Sequence, residues 1–344
     1  MCRVSIILPV YNVSAYLEEC LDSIVNQTLE DIEVICINDG STDDSLLILE
    51  RYAKSDERIK IYSQTNMGAG ASRNRGISLA KGEYVYFADS DDHLDLNALE
   101  DAYDVASEKS VDFLMFIINN FYEDSTERID EEYYNMPYLK DRVGDDTFNY
   151  EDVSDMALDL CVCPPGNLFS RDFIQDIRFP EGLLFEDNVF FTHALFKAEN
   201  VYFYDKKLYN RRKRLDSTTT PISVKSLDTI EITNMLIDLC VEFGHENHKR
   251  ELYYRIFHNI YQIFKKADKS QKPEIFEKIK QEYSNNREKW EKDDYFKNDL
   301  NPYYRHMFDC ALSCRNHQRF EKCVDSYNET SLKEKFKRLK DRIL

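Results

Sequence analysis

Residues 84–92 read Tyr84-Val85-Tyr86-Phe87-Ala88-Asp89-Ser90-Asp91-Asp92. A run of β-formers ends in a turn dense with carboxylates. An apolar run of this length, bounded by a polar turn, reads as a buried strand. Upstream the pattern repeats: Val4 to Val10 ends in Tyr11-Asn12, and Ile32 to Ile37 ends in Asn38-Asp39-Gly40-Ser41, with a further short strand at Ile59 to Tyr62. Between the strands the apolar period changes to that of a helix. Leu17, Leu21, Ile24 and Val25 follow Ser14, which the pattern predicts as an N-cap. Ser41 with Asp44 predicts a capping box opening a helix through Leu46, Leu49 and Ala53. Ala71 to Ala80, closed by Gly82, and Asn97 to Glu108 are the next helices, and Val111 to Ile118 is a fifth strand.

Strands alternating with helices at this spacing predict an α/β fold: a Rossmann-like, mostly parallel sheet flanked by helices. In such sheets ligands sit beyond the carboxyl ends of the strands. The clusters Tyr11-Asn12, Asn38-Asp39 and Asp89 to Asp92 all fall there, so all can converge on one edge. Residues 119 to 155 are acidic and weakly periodic, which predicts a loop-rich excursion; residues 160 to 220 carry shorter runs. From Ser223 onward the pattern is helical and charged. The expected division is therefore 1–220 and a helical C-terminal region, 221–344.

A net charge of −19 over 344 residues repels a polyanionic backbone and argues against nucleic-acid binding. Any anionic ligand must then be held locally by a cation, a helix N-terminus or a few arginines. Val4 to Val10, interrupted by Pro9, is too short for a membrane span or leader. Nine cysteines include the close pairs Cys161 with Cys163 and Cys310 with Cys314, neither in a four-ligand zinc spacing. Reduced, buried thiols in a cytoplasmic setting are the expectation.

Chemistry enters with the polar clusters. Carboxylates on a tight turn, as in Asp89 to Asp92, suit a hard divalent cation such as Mg²⁺ or Mn²⁺; taken alone, such a turn is more often a solvated helix cap. Asp39 at a strand end can accept the imide N–H of a uracil, and Tyr11 beyond Pro9 can stack on a base. Each has a plainer reading, as a strand-to-helix turn and as a packing aromatic.

Taken together, Val4 to Asn12, Asn38 to Asp43, Asn66-Met67-Gly68 with Ser72-Arg73-Asn74, and Asp89 to Asp92 resemble the catalytic domain of family 2 glycosyltransferases, of the GT-A fold. The resemblance covers residues 4 to about 120, and it implies a nucleotide-binding half over 1–120 with an acceptor half over 121–220. It implies that Pro9, Tyr11 and Asp39 hold the base, and that Gly68 and Arg73 line the nucleotide or diphosphate pocket. It further implies that Asp89 approaches the ribose or sugar and that Asp91, with Asp89 beside it, ligates Mg²⁺ or Mn²⁺. Leu184 to Val189 resembles the family's Glu-Asp motif, which makes Asp187 the catalytic base and gives Glu186 a positioning role. Arg211-Arg212-Lys213-Arg214 with Ser217 and Thr219 resembles its Arg-x-Arg-x-x-Ser-x-Thr element, a basic loop in which Arg212 and Arg214 would meet the leaving diphosphate.

The implied activity is inverting transfer of a sugar from a nucleotide diphosphate, with a UDP-sugar favoured by Asp39, to a hydroxyl of a glycan or lipid-linked acceptor in cell-surface polysaccharide synthesis. Two other classes share parts of this pattern. A nucleotidyltransferase would need a Gly-rich loop after the first strand, which Pro9 to Ser14 does not supply; a silent binding protein would be expected to lack Asp91 or Asp187. No Gly-x-Gly-x-x-Gly follows the first strand, which excludes a dinucleotide fold. Leu332 to Leu344 is basic and amphipathic, suited to peripheral contact with the cytoplasmic face of an anionic membrane or to ordinary packing.

Overall fold

The structure, a computed structural model, describes residues 2–122, the backbone of 128–129, and residues 131–213 and 222–327. Arg214, Ser217, Thr219 and the basic stretch Leu332 to Leu344 lie outside the described residues. The chain forms two compact units, Met1–Ser217 and Thr218–Leu344.

The first unit is built on one sheet. Its strands are β1 (Val4–Val10), β2 (Ile32–Asn38), β3 (Ile59–Ser63), β4 (Tyr84–Phe87), β5 (His93–Leu94), β6 (Phe113–Tyr122), β7 (Arg128–Ile129), β8 (Asn167–Ser170) and β9 (Val201–Lys213). They lie in the order β3-β2-β1-β4-β8-β6-β9-β5, with β7 on β6. The pairs β1–β2, β1–β4, β2–β3 and β6–β9 are parallel, while β8 runs antiparallel to both β4 and β6. The sheet is thus mostly parallel in its first half and mixed in its second. Ile6, Ile7 and Leu8 are fully buried, as a strand covered on both faces requires.

Helices α1 (Ser14–Val25), α2 (Ser45–Ser55), α3 (Ala69–Leu79), α4 (Ala98–Lys109) and α5 (Glu186–Lys197) complete the layers. α1 turns Leu17, Cys20, Leu21 and Ile24 inward, one apolar stripe at helical spacing. Two capping expectations fail. The caps are Val13 for α1 and Asp44 for α2, and neither side chain bonds its helix. The carboxylate of Asp43 does that work for both, accepting the N–H of Ser14 (2.9 Å) and of Ser45 (3.0 Å). Ser41 is drawn instead towards β1, where its hydroxyl donates to the Val10 carbonyl.

Another expectation fails at 211–213. These residues are the end of β9 rather than a loop, because Asn120, Phe121 and Tyr122 of β6 pair with Arg211, Arg212 and Lys213. A charge-dense strand of 13 residues carries too little apolar alternation to be read as one.

The second unit is helical, with α6 (Thr229–Glu242), α7 (Lys249–Tyr254), α8 (Ile260–Lys266), α9 (Lys272–Lys292), α10 (Pro302–Ser313) and a helix over 317–327. Trp290 is fully buried beside Phe257 and Tyr283, and its indole N–H donates to Asn234 Oδ1 at 2.7 Å. The expectation of reduced thiols fails at one place: Cys310 is bonded to Cys323, not paired with its near neighbour Cys314. A helical turn holds 310 and 314 on one element, whereas 323 comes from the facing one.

Candidate active site

The carboxyl ends of β1, β2 and β4 open on one edge. β1 delivers Pro9 and then Tyr11, whose ring is 50% exposed. Asn12 follows with φ 47°, a left-handed geometry that asparagine tolerates, and its Oδ1 accepts the Thr42 N–H at 2.8 Å. At the end of β2, Asp39 is buried. Its Oδ1 accepts from Gln64 Nε2 (2.8 Å) and the Met67 N–H (2.9 Å), and its Oδ2 from the Gly68 N–H (2.8 Å). A carboxylate offers about four acceptor positions, so one on Oδ2 is left for a further donor. Asp39 therefore shapes the 64–68 loop and still has capacity for one N–H. Gly68 has φ 89° with open space where a Cβ would stand, so the chain is bare beside that carboxylate.

α3 starts at this loop and clamps a distant segment. Asn74 Nδ2 donates to the Phe179 carbonyl and the Phe179 N–H donates back to Asn74 Oδ1, each at 2.9 Å. A Cβ on Gly70 would fall 2.4 Å from the Pro180 carbonyl oxygen, so only glycine permits this approach. The segment then enters α5 through Phe185, whose φ of 68° is a strained value for a bulky residue. Glu186 and Asp187 are the first residues of that helix.

Arg73 joins the two carboxylate groups. It is 6% exposed, lies over the Phe179 ring, and donates to Asp89 (2.8 Å) and to Glu186 (2.6 Å). Its guanidinium is held above its usual pKa: burial opposes the charge, and Asp89, Glu186 and Asp187 outweigh it. The residue assigned by resemblance to a ligand pocket is thus, in this structure, an internal strut between the Asp89 turn and α5.

The turn after β4 divides its labour. Asp89 and Asp91 are half-buried, but Asp92 is buried and accepts from the Tyr209 hydroxyl (2.6 Å) and the Arg212 N–H (2.7 Å). Burial first, then the charges of Asp91 and Asp89, push the Asp92 carboxyl far above its usual range. β5 pairs with β9 here, which brings Tyr209 and Arg212 to the turn. Arg212 donates Nε to the Asp91 carbonyl (3.0 Å), pairs with Glu19, and sits between the rings of Tyr16 and Phe121. Asp89 and Asp91 supply oxygen donors for a hard cation; among the described residues no group of three acidic side chains could hold one alone. Mg²⁺ usually completes its shell with phosphate oxygens and water, so this donor set fits a cation shared with a ligand.

Asp187 is half-buried and accepts from the N–H and Nδ2 of Asn188 at 2.9 and 3.0 Å. Desolvation, then the charge of Glu186, push its carboxyl up to about 6 against the opposing pull of Arg73. That value suits a general base working near neutrality. His193 lies further along α5 and Arg214 outside the described residues. Asn74 and Tyr209 were given no role from sequence: the first stood in a quoted motif, and the second had no local signal.

Residues 5–178 match the family model for glycosyl transferase family 2. The glycosyltransferase GlyA of Streptococcus pneumoniae serotype 4 is 30% identical over 261 residues, which is 74% of this chain and only 37% of GlyA. GlyG of the same organism is 30% identical over 250 residues, 70% of this chain and 81% of GlyG. Among solved structures, S. aureus TarS 1–349 in complex with UDP-GlcNAc superposes with a TM-score of 0.68 at 21% identity, over 95% of this chain and 92% of that one.

Proposed function

The chain belongs to glycosyl transferase family 2, and on that premise we propose that it is an inverting transferase moving a sugar from a UDP-sugar to an acceptor hydroxyl. The observation that carries the reading is the Arg73 strut. It ties Asp89, at the carboxyl edge of the sheet, to Glu186, next to a carboxylate poised at about 6. A donor-side acidic turn and a general base are thereby held in one rigid unit.

The base of the donor lies along Tyr11, with its imide N–H on the remaining acceptor position of Asp39. UDP-GlcNAc, the ligand of the TarS fragment, is of this donor class. Asp89 and Asp91 would hold Mg²⁺ or Mn²⁺, which when bound neutralises charge on the departing diphosphate. Asp187 takes the proton from the acceptor hydroxyl as its oxygen attacks the anomeric carbon, while the C–O bond to the diphosphate breaks on the opposite face. The single displacement inverts the anomeric centre and needs no enzyme-bound sugar. Glu186 is kept from that role by Arg73, and Asp92 by its burial.

The acceptor in this reading is a glycan or lipid-linked chain of cell-surface polysaccharide synthesis, met at the cytoplasmic face of the membrane. No helix among the described residues is long and apolar enough to cross a membrane. The test is slow donor hydrolysis without acceptor: a panel of UDP-sugars is incubated with the chain and Mn²⁺, and the released sugar's first anomer is read by proton NMR. An α-linked donor should release β-sugar. Release of α-sugar would overturn inversion, and turnover of no UDP-sugar would overturn the donor assignment.

A further inference from the structure

Among the described residues, His306, Cys310 and Cys323 are the one group of three histidine, cysteine or carboxylate side chains whose ligand atoms all lie within 4.8 Å of one another. They belong to the helical unit, and the sugar-transfer chemistry makes no use of them. His306 and Cys310 stand four positions apart on α10, so both face the same side of that helix. Cys323 reaches them from the helix over 317–327. His306 Nε2 is 3.3 Å from Cys310 Sγ and 2.8 Å from the Cys323 carbonyl oxygen, so one ring nitrogen addresses both cysteines. Carrying a proton, Nε2 donates to that carbonyl; with the proton on Nδ1, its lone pair is free to face the sulfurs.

A disulfide alone makes no use of the imidazole. The chain's other seven cysteines are free thiols, so Cys310–Cys323 is not part of a disulfide framework. Nor is the bond needed to bring the two sulfurs together. Phe320, 1% exposed, packs on Phe264 of α8 and Phe276 of α9, each at 5.2 Å. Glu321 pairs with Lys272 at 2.9 Å, and Asp325 accepts the Tyr261 hydroxyl at 2.8 Å. These contacts seat the helix on either side of Cys323, so reduction leaves two thiols and an imidazole converging on one spot. Two thiolates each about 2.3 Å from one ion need their sulfurs only a little apart, which side-chain rotation from Cα atoms 6.0 Å apart provides.

We propose that, with the disulfide reduced, His306, Cys310 and Cys323 form a Zn²⁺ site that clips the 317–327 helix to α10, its fourth position open to water. Small-molecule thiols open the bond: two of them give up a hydrogen each to the cysteine sulfurs and leave as their own disulfide. Each cysteine then loses its proton to solvent as its sulfur binds the ion, and the histidine binds neutral through Nε2. Thiolate and imidazole donors select Zn²⁺ over Mg²⁺ or Mn²⁺, whereas Asp89 and Asp91 offer oxygen alone, so the two sets of donors take different ions. The site is independent of the transferase reading.

The experiment uses the full chain, reduced by a phosphine, which takes the oxygen of a water molecule while the two hydrogens go to the sulfurs. Co²⁺ is titrated anaerobically and followed by its thiolate-to-metal charge-transfer absorption, a band that oxygen ligands do not give, and Zn²⁺ is then added in competition. The proposal expects the band in reduced wild type, its loss on adding Zn²⁺, and no band in the oxidised chain. It expects His306→Gln to weaken Co²⁺ at least about tenfold, the Cys310→Ser, Cys323→Ser double variant to lose the band, and Cys314→Ser to stay within about twofold of wild type. His306→Gln leaves both cysteines and the helix contacts in place, so it carries the test if the double variant fails to fold; circular dichroism checks each protein. Absence of the band in reduced, folded wild type would overturn the proposal. So would a band that survives loss of both cysteines, or unchanged affinity in His306→Gln, which would leave a bare thiol pair.

Discussion

The pH dependence of transfer should respond in opposite directions to two substitutions on either side of Asp187. Its carboxyl is raised to about 6, by burial and then by Glu186, and is pulled down by Arg73. A general base works as the carboxylate, so kcat/KM should rise with pH and level off above about 6. Glu186→Gln removes the like charge and frees Arg73 to favour the Asp187 carboxylate, and both effects lower the pKa. Desolvation is the larger cause and stays in place, so the shift is on the order of one unit, about 1.4 kcal/mol. At pH 5 the ionised fraction would rise from about 10% to about 50%, roughly fivefold relative to each enzyme's own plateau. Arg73→Gln removes the opposing cation and should move the same limb to higher pH by a comparable amount. The assay is the donor-hydrolysis or transfer rate from pH 4.5 to 8.5, normalised to the plateau, with thermal melts at each pH to exclude unfolding. Shifts in the same direction, or no acid limb near 6 in wild type, would refute the assignment of Asp187 as base.

Other outcomes follow from the same geometry. Asp187→Asn should leave UDP affinity intact and depress transfer about 10²–10⁴-fold; near-normal turnover would place the base elsewhere. Asn74→Ala strands the buried N–H and carbonyl of Phe179, at about 1–3 kcal/mol for such a loss. It should lower the Tm by several degrees and cut kcat more than donor affinity, since the segment it releases leads into Glu186; a variant with wild-type melt and rate would remove the clamp. Asp43→Ala should cost about 1 kcal/mol, as a lost cap does. The Asp43 carboxyl is lowered to about 2; burial opposes the shift, and hydrogen bonds to Ser45 and Ser14 outweigh it. Its contribution is therefore full above the ordinary value near 3.8 and is lost as pH falls through about 2. Wild type and variant should thus differ in Tm at pH 7 and converge towards pH 2; a constant difference would contradict the bonding.

The part of the candidate site at the ends of β1, β2 and β4 was legible because its signals are local. β1, β2 and β4 are apolar runs that end in polar turns, so Tyr11, Asp39 and Asp89 could be placed on one edge from order alone. What escaped depends on contacts far apart in the chain. Arg73 and Glu186 are 113 positions apart, and nothing near either residue announces the ion pair. Tyr209 and Asp92 meet only because β5 pairs with β9. β9 itself is hidden by Lys206, Lys207 and Arg211 to Lys213, whose charges mask the two-residue period. The capping expectations failed for a related reason: Asp43, two positions from the expected cap Ser41, bonds the first turns of both α1 and α2, which a one-helix motif cannot express.

The central claim, a metal-assisted nucleoside-diphosphate site at the edge marked by Asp39, Asp89 and Asp91, is tested most directly by calorimetric titration. The chain and its Asp91→Ala variant are titrated with UDP, GDP, CDP and TDP, each with and without Mn²⁺. The account predicts preference for UDP, tighter with Mn²⁺ in wild type and indifferent to Mn²⁺ in Asp91→Ala. Binding of no diphosphate by well-folded protein, or UDP affinity unaffected by both the metal and the substitution, would contradict it.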